Sequence, residues 1–463
     1  MSRGKGKGER EFGWDKVGLL EYVEERLSPP QIVLLSFLSL ILVGTLVLSL
    51  PLSVREGNSL SFLDALFTAT SAVCVTGLVV VDTGTIVSRF GQVMILVLIQ
   101  VGGLGLMTMT TLYWLFRGHR IKLRERLLVQ EALNLSKLAG VVRLVRSILV
   151  TTFFVEALGA ALLSCWFVPR LGPVKGVFFG LFHSISAFCN AGFDLLGGFR
   201  SFTSFPEETY LNLVLMGLIL LGGLGFTVLI DLYQYRRFRR LSLHSNVVLS
   251  VTGGLLLAGF VLFLFLEGKN PATLGSLTPW GRFLAASFQS VTPRTAGIST
   301  IPVKDMRQET QFFLIILMFI GASPGSTGGG IKTATLGTLL AAVWSVATGS
   351  QEIDIFHRRL PHRIVFKSLA IVIMDLGILI IAVILLSLVE GKEFMAVFFE
   401  AASALGTVGL STGLTPNLTP LGKVILIVTM FSGRVGPLTL AVALGLRERR
   451  QAIRYPEERI IVG

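Results

Sequence analysis

Four short stretches of this chain could do the same chemistry. Val75-Thr76-Gly77, Asn190-Ala191-Gly192, Thr295-Ala296-Gly297 and Thr407-Val408-Gly409 each end in a glycine that is followed by a bulky apolar residue. The glycines lie 115, 105 and 112 residues apart, a spacing that marks an internal repeat. Backbone carbonyls from four such stretches, gathered on one axis, would replace the hydration shell of a cation. Glycine at the last position accepts backbone conformations closed to residues with a Cβ, including those that turn neighbouring carbonyls inward.

Such a ring needs elements that hold it inside a membrane. The chain is 52% hydrophobic and 15% charged, which excludes an ordinary soluble enzyme of 463 residues and points to a polytopic membrane protein. Apolar runs at 31–50, 93–116, 211–229, 247–266 and 364–388 reach the ~20 residues that a crossing helix needs. Just before each glycine stretch lies a shorter apolar segment, at 62–74, 176–189, 281–292 and 394–405, long enough for a half-crossing only. Phe67 and Ser71, Phe182 and Ser186, and Phe399 and Ser403 keep the same distance from their glycines, whereas Phe288 and Thr292 lie one residue nearer to theirs.

Charge decides how the short segments run. The stretches 1–28, 117–146, 231–244, 349–367 and 447–463 hold 27 of the 41 Lys and Arg and 14 carboxylates, so the whole net charge of +13 sits there. Basic connectors mark the cytoplasmic side, which favours membrane topology over nucleic acid as their explanation. All of them share one face only if each short segment is re-entrant. The expected fold is therefore all-α and integral to the membrane. Four parallel units of span, re-entrant pore helix and span would surround a pseudo-fourfold pore, with eight transmembrane helices in all. Expected boundaries are a cytoplasmic tail 1–28, units at 29–117, 118–240, 241–350 and 351–446, and a cytoplasmic tail 447–463. The short helices would point their negative ends at the axis, favouring a cation.

Two features break the fourfold likeness. Gly321, Ala322, Ser323, Pro324, Gly325, Ser326, Thr327, Gly328, Gly329 and Gly330 interrupt the second span of the third unit. Five glycines and a proline in ten residues cannot stay helical, so this span is expected to break beneath the ring and line a cavity. A nucleotide-binding P-loop is rejected there, because Gly330-Ile331-Lys332-Thr333 separates glycine from lysine. Arg434 lies within the last span, where arginine is costly and functional or else pairs with a carboxylate such as Asp375 or Glu156. The glycine clusters at 102–105 and 222–225 read as helix-packing surfaces. The three cysteines and five histidines show no metal-ligand or catalytic spacing.

With these residues in view, the chain resembles the Trk/Ktr/HKT superfamily of potassium transport proteins over roughly residues 30–446, and is most similar to its Ktr pore-forming subunits. The resemblance implies a potassium-conducting, non-enzymatic homodimer in the cell inner membrane with both termini cytoplasmic. It implies K+ held at the carbonyls of the four glycine stretches, Na+ as an activator, and a gate formed by residues 321–330 with Arg434. It also implies a cytoplasmic KtrA/TrkA-like regulatory ring that carries the nucleotide, with membrane lipid and no nucleic acid among the partners. Gly77 points to potassium, since some relatives with serine there favour sodium. Sodium- or proton-coupled secondary transport of potassium is the alternative mechanism.

Overall fold

The chain is seen in a computed structural model that describes residues 27–105, 141–238, 241–443 and 445. Most of both expected tails and of the first basic connector lies outside the described residues. The architecture is helical, with one two-residue-per-strand hairpin in the connector at 349–367, where β1 (Asp354–Ile355) pairs antiparallel with β2 (Arg358–Arg359).

Among the described residues, four helices are long and apolar enough to cross a membrane: α1 (Pro29–Leu48), α4 (Val141–Leu171), α8 (Leu243–Glu267) and α12 (His362–Glu390). Much of their surface is exposed and apolar, as on Leu46, Phe154, Phe265 and Leu388, which suits contact with lipid. Each is followed by a short helix: α2 (Phe62–Val73), α5 (Pro173–Phe188), α9 (Pro279–Val291) and α13 (Phe394–Leu405). The short helices are largely buried, and each stops within a few residues of its glycine stretch. Capping fixes where several begin: Ser61 accepts from the Asp64 N–H and Thr278 from the Gly281 N–H.

The second apolar helices, α3 (Arg89–Leu104), α6 (Thr209–Gly223), α10 (Gln308–Phe319) and α14 (Pro420–Val435), follow the glycine stretches. Carboxylates at the ends of long helices hold two of them in place. Glu267 accepts from the Arg307 N–H (2.8 Å) and Thr310 Oγ1 (2.6 Å), and Glu390 from the N–H (2.9 Å) and Oγ1 (2.7 Å) of Thr419. Gly102, Gly222 and Gly433 lie against the carbonyls of Val73, Phe188 and Leu405, so close that a Cβ would fall 2.0, 1.8 and 1.9 Å from those oxygens. The packing role expected of the glycine clusters therefore holds for Gly102 and Gly222.

The same clusters also do something that hydropathy did not foretell. The run read as a continuous span at 211–229 is bent, and so is the last span, which the apolar residues at 422–446 would also make continuous. Gly225, at φ 88°, separates α6 from α7 (Phe226–Phe238) by a turn of 101°, and Gly436, at φ 86°, separates α14 from α15 (Pro437–Ala443) by 95°. Gly105, at φ 82°, ends α3 in the same way. Interruption is thus common to the second helices α6, α10 and α14, and the one after α10 differs in length: 13 non-helical residues, 320–332, precede α11 (Thr333–Ala347). Hydropathy averages over side chains and is blind to a single residue of positive φ, which only glycine adopts without strain.

Candidate functional site

The four glycine stretches meet. A Cβ on Gly77 would lie 2.4 Å from the Ala191 carbonyl, one on Gly192 3.0 Å from that of Ala296, one on Gly297 2.4 Å from that of Val408, and one on Gly409 2.2 Å from that of Thr76. These contacts run in a closed cycle through all four stretches. Every glycine is needed for the approach of a neighbouring backbone as well as for its own conformation, at φ 88°, 71°, 69° and 94°.

The first residue of each stretch also has positive φ: Val75 57°, Asn190 58°, Thr295 73° and Thr407 49°. Thr76, Ala191, Ala296 and Val408 between them do not. Alternating the hand of the backbone turns successive carbonyls to one side of the strand, the arrangement that a row of cation ligands requires. A non-glycine residue in the left-handed region is disfavoured by about 1–2 kcal/mol, so surrounding structure must hold it.

Hydroxyl groups on the short helices do so. Ser71 Oγ accepts from the Gly77 N–H at 3.0 Å and Ser403 Oγ from the Gly409 N–H at 3.1 Å. Ser186 Oγ donates to the Phe193 carbonyl at 2.7 Å, and Thr292 Oγ1 donates to that of Ile298. The serine spacing in the sequence signalled these braces without disclosing their role. The third stretch explains its own departure: Thr76, Ala191 and Val408 donate their N–H five residues back, to Ser71, Ser186 and Ser403, whereas Ala296 donates four residues back, to Thr292. One residue is missing from that junction. Asn190 links two stretches: with its amide donating to the Ala187 carbonyl (2.9 Å) it accepts from Thr295 Oγ1 (3.3 Å).

A cavity of about 350 Å³ opens above the ring, lined by Gly77, Gly192, Gly297 and Gly409 and by Asp82, Asp194, Arg200 and Lys304. In it, burial pushes the Asp194 carboxyl up to about 6, Asp82 adds to the rise, and the N–H groups of Leu196 and Gly197 oppose it.

Beneath the ring lies the interruption. Gly328 would clash with Thr295 Oγ1 if it carried a Cβ, and the Gly329 N–H donates to Thr407 Oγ1 at 3.0 Å, so the segment sits directly under the third and fourth stretches. Ser323 and Thr327 donate their N–H to the carbonyls of Gly223 (3.0 Å) and Gly222 (3.4 Å), and Gly325 accepts from the Phe226 N–H (2.9 Å), which fastens it to the α6–α7 bend. Arg434 donates to the Thr327 carbonyl and, on its other side, to those of Gly102 and Gly103. The guanidinium is therefore paired with backbone oxygens, and neither Asp375 nor Glu156 is its counter-ion. Lys332 donates to the carbonyls of Gly328 (2.6 Å) and Gly329 (3.2 Å). A second cavity of about 340 Å³ lies on this side, lined by Pro324, Gly325, Ser326, Lys332, Asp375 and Arg434. Among the described residues no three His, Cys, Asp or Glu side chains form a metal cluster.

Comparison with known proteins agrees with this geometry. The family model for TrkH, described as cation transport protein, matches residues 31–450. The chain is 43% identical over 438 residues to the Ktr system potassium uptake protein B of Bacillus subtilis, covering 95% of this chain and 97% of that protein. It is 42% identical over 449 residues to the potassium/sodium uptake protein NtpJ of Enterococcus hirae, covering 95% and 98%. In fold it is similar to the crystal structure of the potassium transporter TrkH from Vibrio parahaemolyticus, with a TM-score of 0.72 at 20% identity, over 91% of this chain and 86% of that one. A ring of carbonyl stretches between two cavities, on a chain matched almost end to end, places this protein in the TrkH family of cation transport proteins.

Proposed function

We propose that this protein is the channel-like pore subunit of a Ktr/Trk-type potassium uptake system. Four units of long helix, short helix, glycine stretch and second helix form a single pore of eight spans. The observation that carries this function is the closed cycle of glycine contacts with alternating backbone hand, which supplies rows of carbonyl oxygen around one axis. K+ would sit at the carbonyls of Val75, Thr76, Gly77, Asn190, Ala191, Gly192, Thr295, Ala296, Gly297, Thr407, Val408 and Gly409. Permeation needs no covalent step, so no catalytic residue is required, and the protein is not an enzyme.

The segment 321–330 stands between the two cavities, and Arg434 holds it closed by joining Thr327 to Gly102 and Gly103. Control of flux belongs to this pair. A guanidinium below the carbonyl ring also raises an electrostatic barrier to cations. Partner subunits that release the segment would act from the cytoplasmic side, with the protein as a homodimer in the inner membrane, sodium as activator and nucleotide bound on the regulatory ring. The Ktr system to which the Bacillus subtilis relative is assigned by name supports a multi-component assembly. The purified protein in liposomes should carry potassium in preference to sodium, with reversal potentials that follow the potassium gradient alone. Potentials that shift with a sodium or proton gradient would replace passive flux with coupled transport, for which the name of the Enterococcus hirae relative is the prompt.

A further inference from the structure

Behind the second carbonyl stretch, two polar side chains stand where the units that shared glycine contacts match to them are apolar. Ser184 Oγ donates to the Glu156 carbonyl at 2.7 Å, and Ser290 Oγ donates to the Leu256 carbonyl at 2.6 Å. Gly159 and Gly259, three residues further on, lie against those same serines, so Glu156 corresponds to Leu256. Gly44, which lies against Ala69, makes buried Ile41 the counterpart in the first unit. Likewise Gly102, Gly222 and Gly433 share one contact with the short helices, which matches Gln100 with Leu220 and Phe431.

The two departures meet each other and then the ring. Gln100 Nε2 donates to Glu156 Oε2 at 2.9 Å, and Glu156 Oε1 accepts from the Cys189 thiol at 3.6 Å. Cys189 is fully buried and directly precedes Asn190. Gly103 leaves room for it, since a Cβ there would come within 3.1 Å of the sulfur. Glu156 is itself buried, in a helix that crosses the membrane, and no cation bonds to it among the described residues. A carboxyl group placed there is unfavourable unless its contacts serve a purpose.

We propose that Glu156, supported by Gln100, is a positioning residue for ion selection. It holds Cys189, and through it the carbonyls of Asn190, Ala191 and Gly192, at the spacing that distinguishes potassium from sodium. The role rests on the carbonyl-ring function above. An apolar residue at 156 leaves the Gln100 amide N–H without its buried acceptor and the thiol with only Gln100 Oε1, at 3.8 Å, and the junction between α5 and the stretch relaxes.

Potassium and sodium permeability measured on the reconstituted full chain tests it. Glu156→Leu, which installs the residue found in the third unit, should lower the potassium preference by about tenfold, the scale on which support for a ligand group acts. Glu156→Gln keeps one accepting oxygen for the thiol, and its Nε2 can donate to Gln100 Oε1 once that amide turns over, so it should restore the preference. Cys189→Ala should resemble Glu156→Leu, and the two combined should be no worse than either alone, because they break one chain of contacts. Flux that persists in each variant establishes that the protein is folded. A parent with no potassium preference overturns the ring function and this role together. A selective parent with unchanged Glu156→Leu, or with additive losses in the double variant, overturns this role alone. Should Glu156→Leu abolish all flux, Cys189→Ala decides, and full selectivity there overturns it.

Discussion

At the scale of single residues, the ring is made by backbone and guarded by small side chains. Gly77 has a carbonyl where its Cβ would be, so Gly77→Ser must push the first stretch away from Ala191 as well as strain its own φ of 88°. The preference for potassium over sodium should fall at least about tenfold, as expected when ligand oxygens move off their positions. Permeability ratios from reversal potentials check this, and an unchanged ratio removes Gly77 from the ring. In the cavity above the ring, Asp194 titrates near 6. Its carboxyl is anionic above that pH and neutral below it, so the local attraction for cations is present at pH 7.5 and lost at pH 5. Uptake at low potassium should decline by about two- to threefold as external pH passes through that range. Asp194→Asn should run low and flat across it; a parental slope in the variant assigns the titration to another group.

At the scale of elements, the interruption between α10 and α11 behaves as a part fastened at both edges. Its carbonyls and N–H groups bond to the α6–α7 bend, and Arg434 straps it across to α3. Deleting 325–330, or replacing Arg434 by alanine, should raise unstimulated potassium flux about fivefold, the change that a gating equilibrium shifted by ~1 kcal/mol allows. If both variants conduct like the parent, the constriction lies elsewhere. Much of this was legible beforehand. Glycine density and proline exposed the interruption, and the matched Phe and Ser positions exposed the short helices. The bends at Gly225 and Gly436 were hidden, because each lies within a run of apolar side chains and is announced only by backbone conformation. The partners of Glu156 were hidden for another reason: Gln100 and Cys189 are remote in sequence and approach only once the helices pack.

At the scale of the whole molecule, one chain must close a ring on itself, so the second helix of its last unit has to reach its first short one. Lys423 on α14 does this by bonding Asp64 on α2 at 2.6 Å, with both side chains mostly buried, at 16% and 21% exposure. Lys423→Ala should lower the midpoint of thermal unfolding in detergent by roughly 1–3 °C, the size expected for one partly shielded pair in a large chain. Exchanging the two residues, Lys423→Asp with Asp64→Lys, should recover most of the loss; no recovery assigns it to packing. The sequence could place both residues at helix starts but could not pair them, since 359 positions separate them.

The last turn of α3 serves two masters. Gln100 faces the support behind the carbonyl ring, while Gly102 and Gly103, within the same turn, receive Arg434 from below. Occupancy above and release below would be linked through this turn, and linkage is reciprocal: if freeing the strap changes how well the ring holds potassium, then potassium in the ring changes how readily the strap is freed, by the same factor. The half-saturating potassium concentration should accordingly shift in Arg434→Ala, and an identical value in parent and variant would mean that the two functions are independent. If the value shifts, the transported ion is also an effector, and the external supply of potassium helps to set the fraction of open pores.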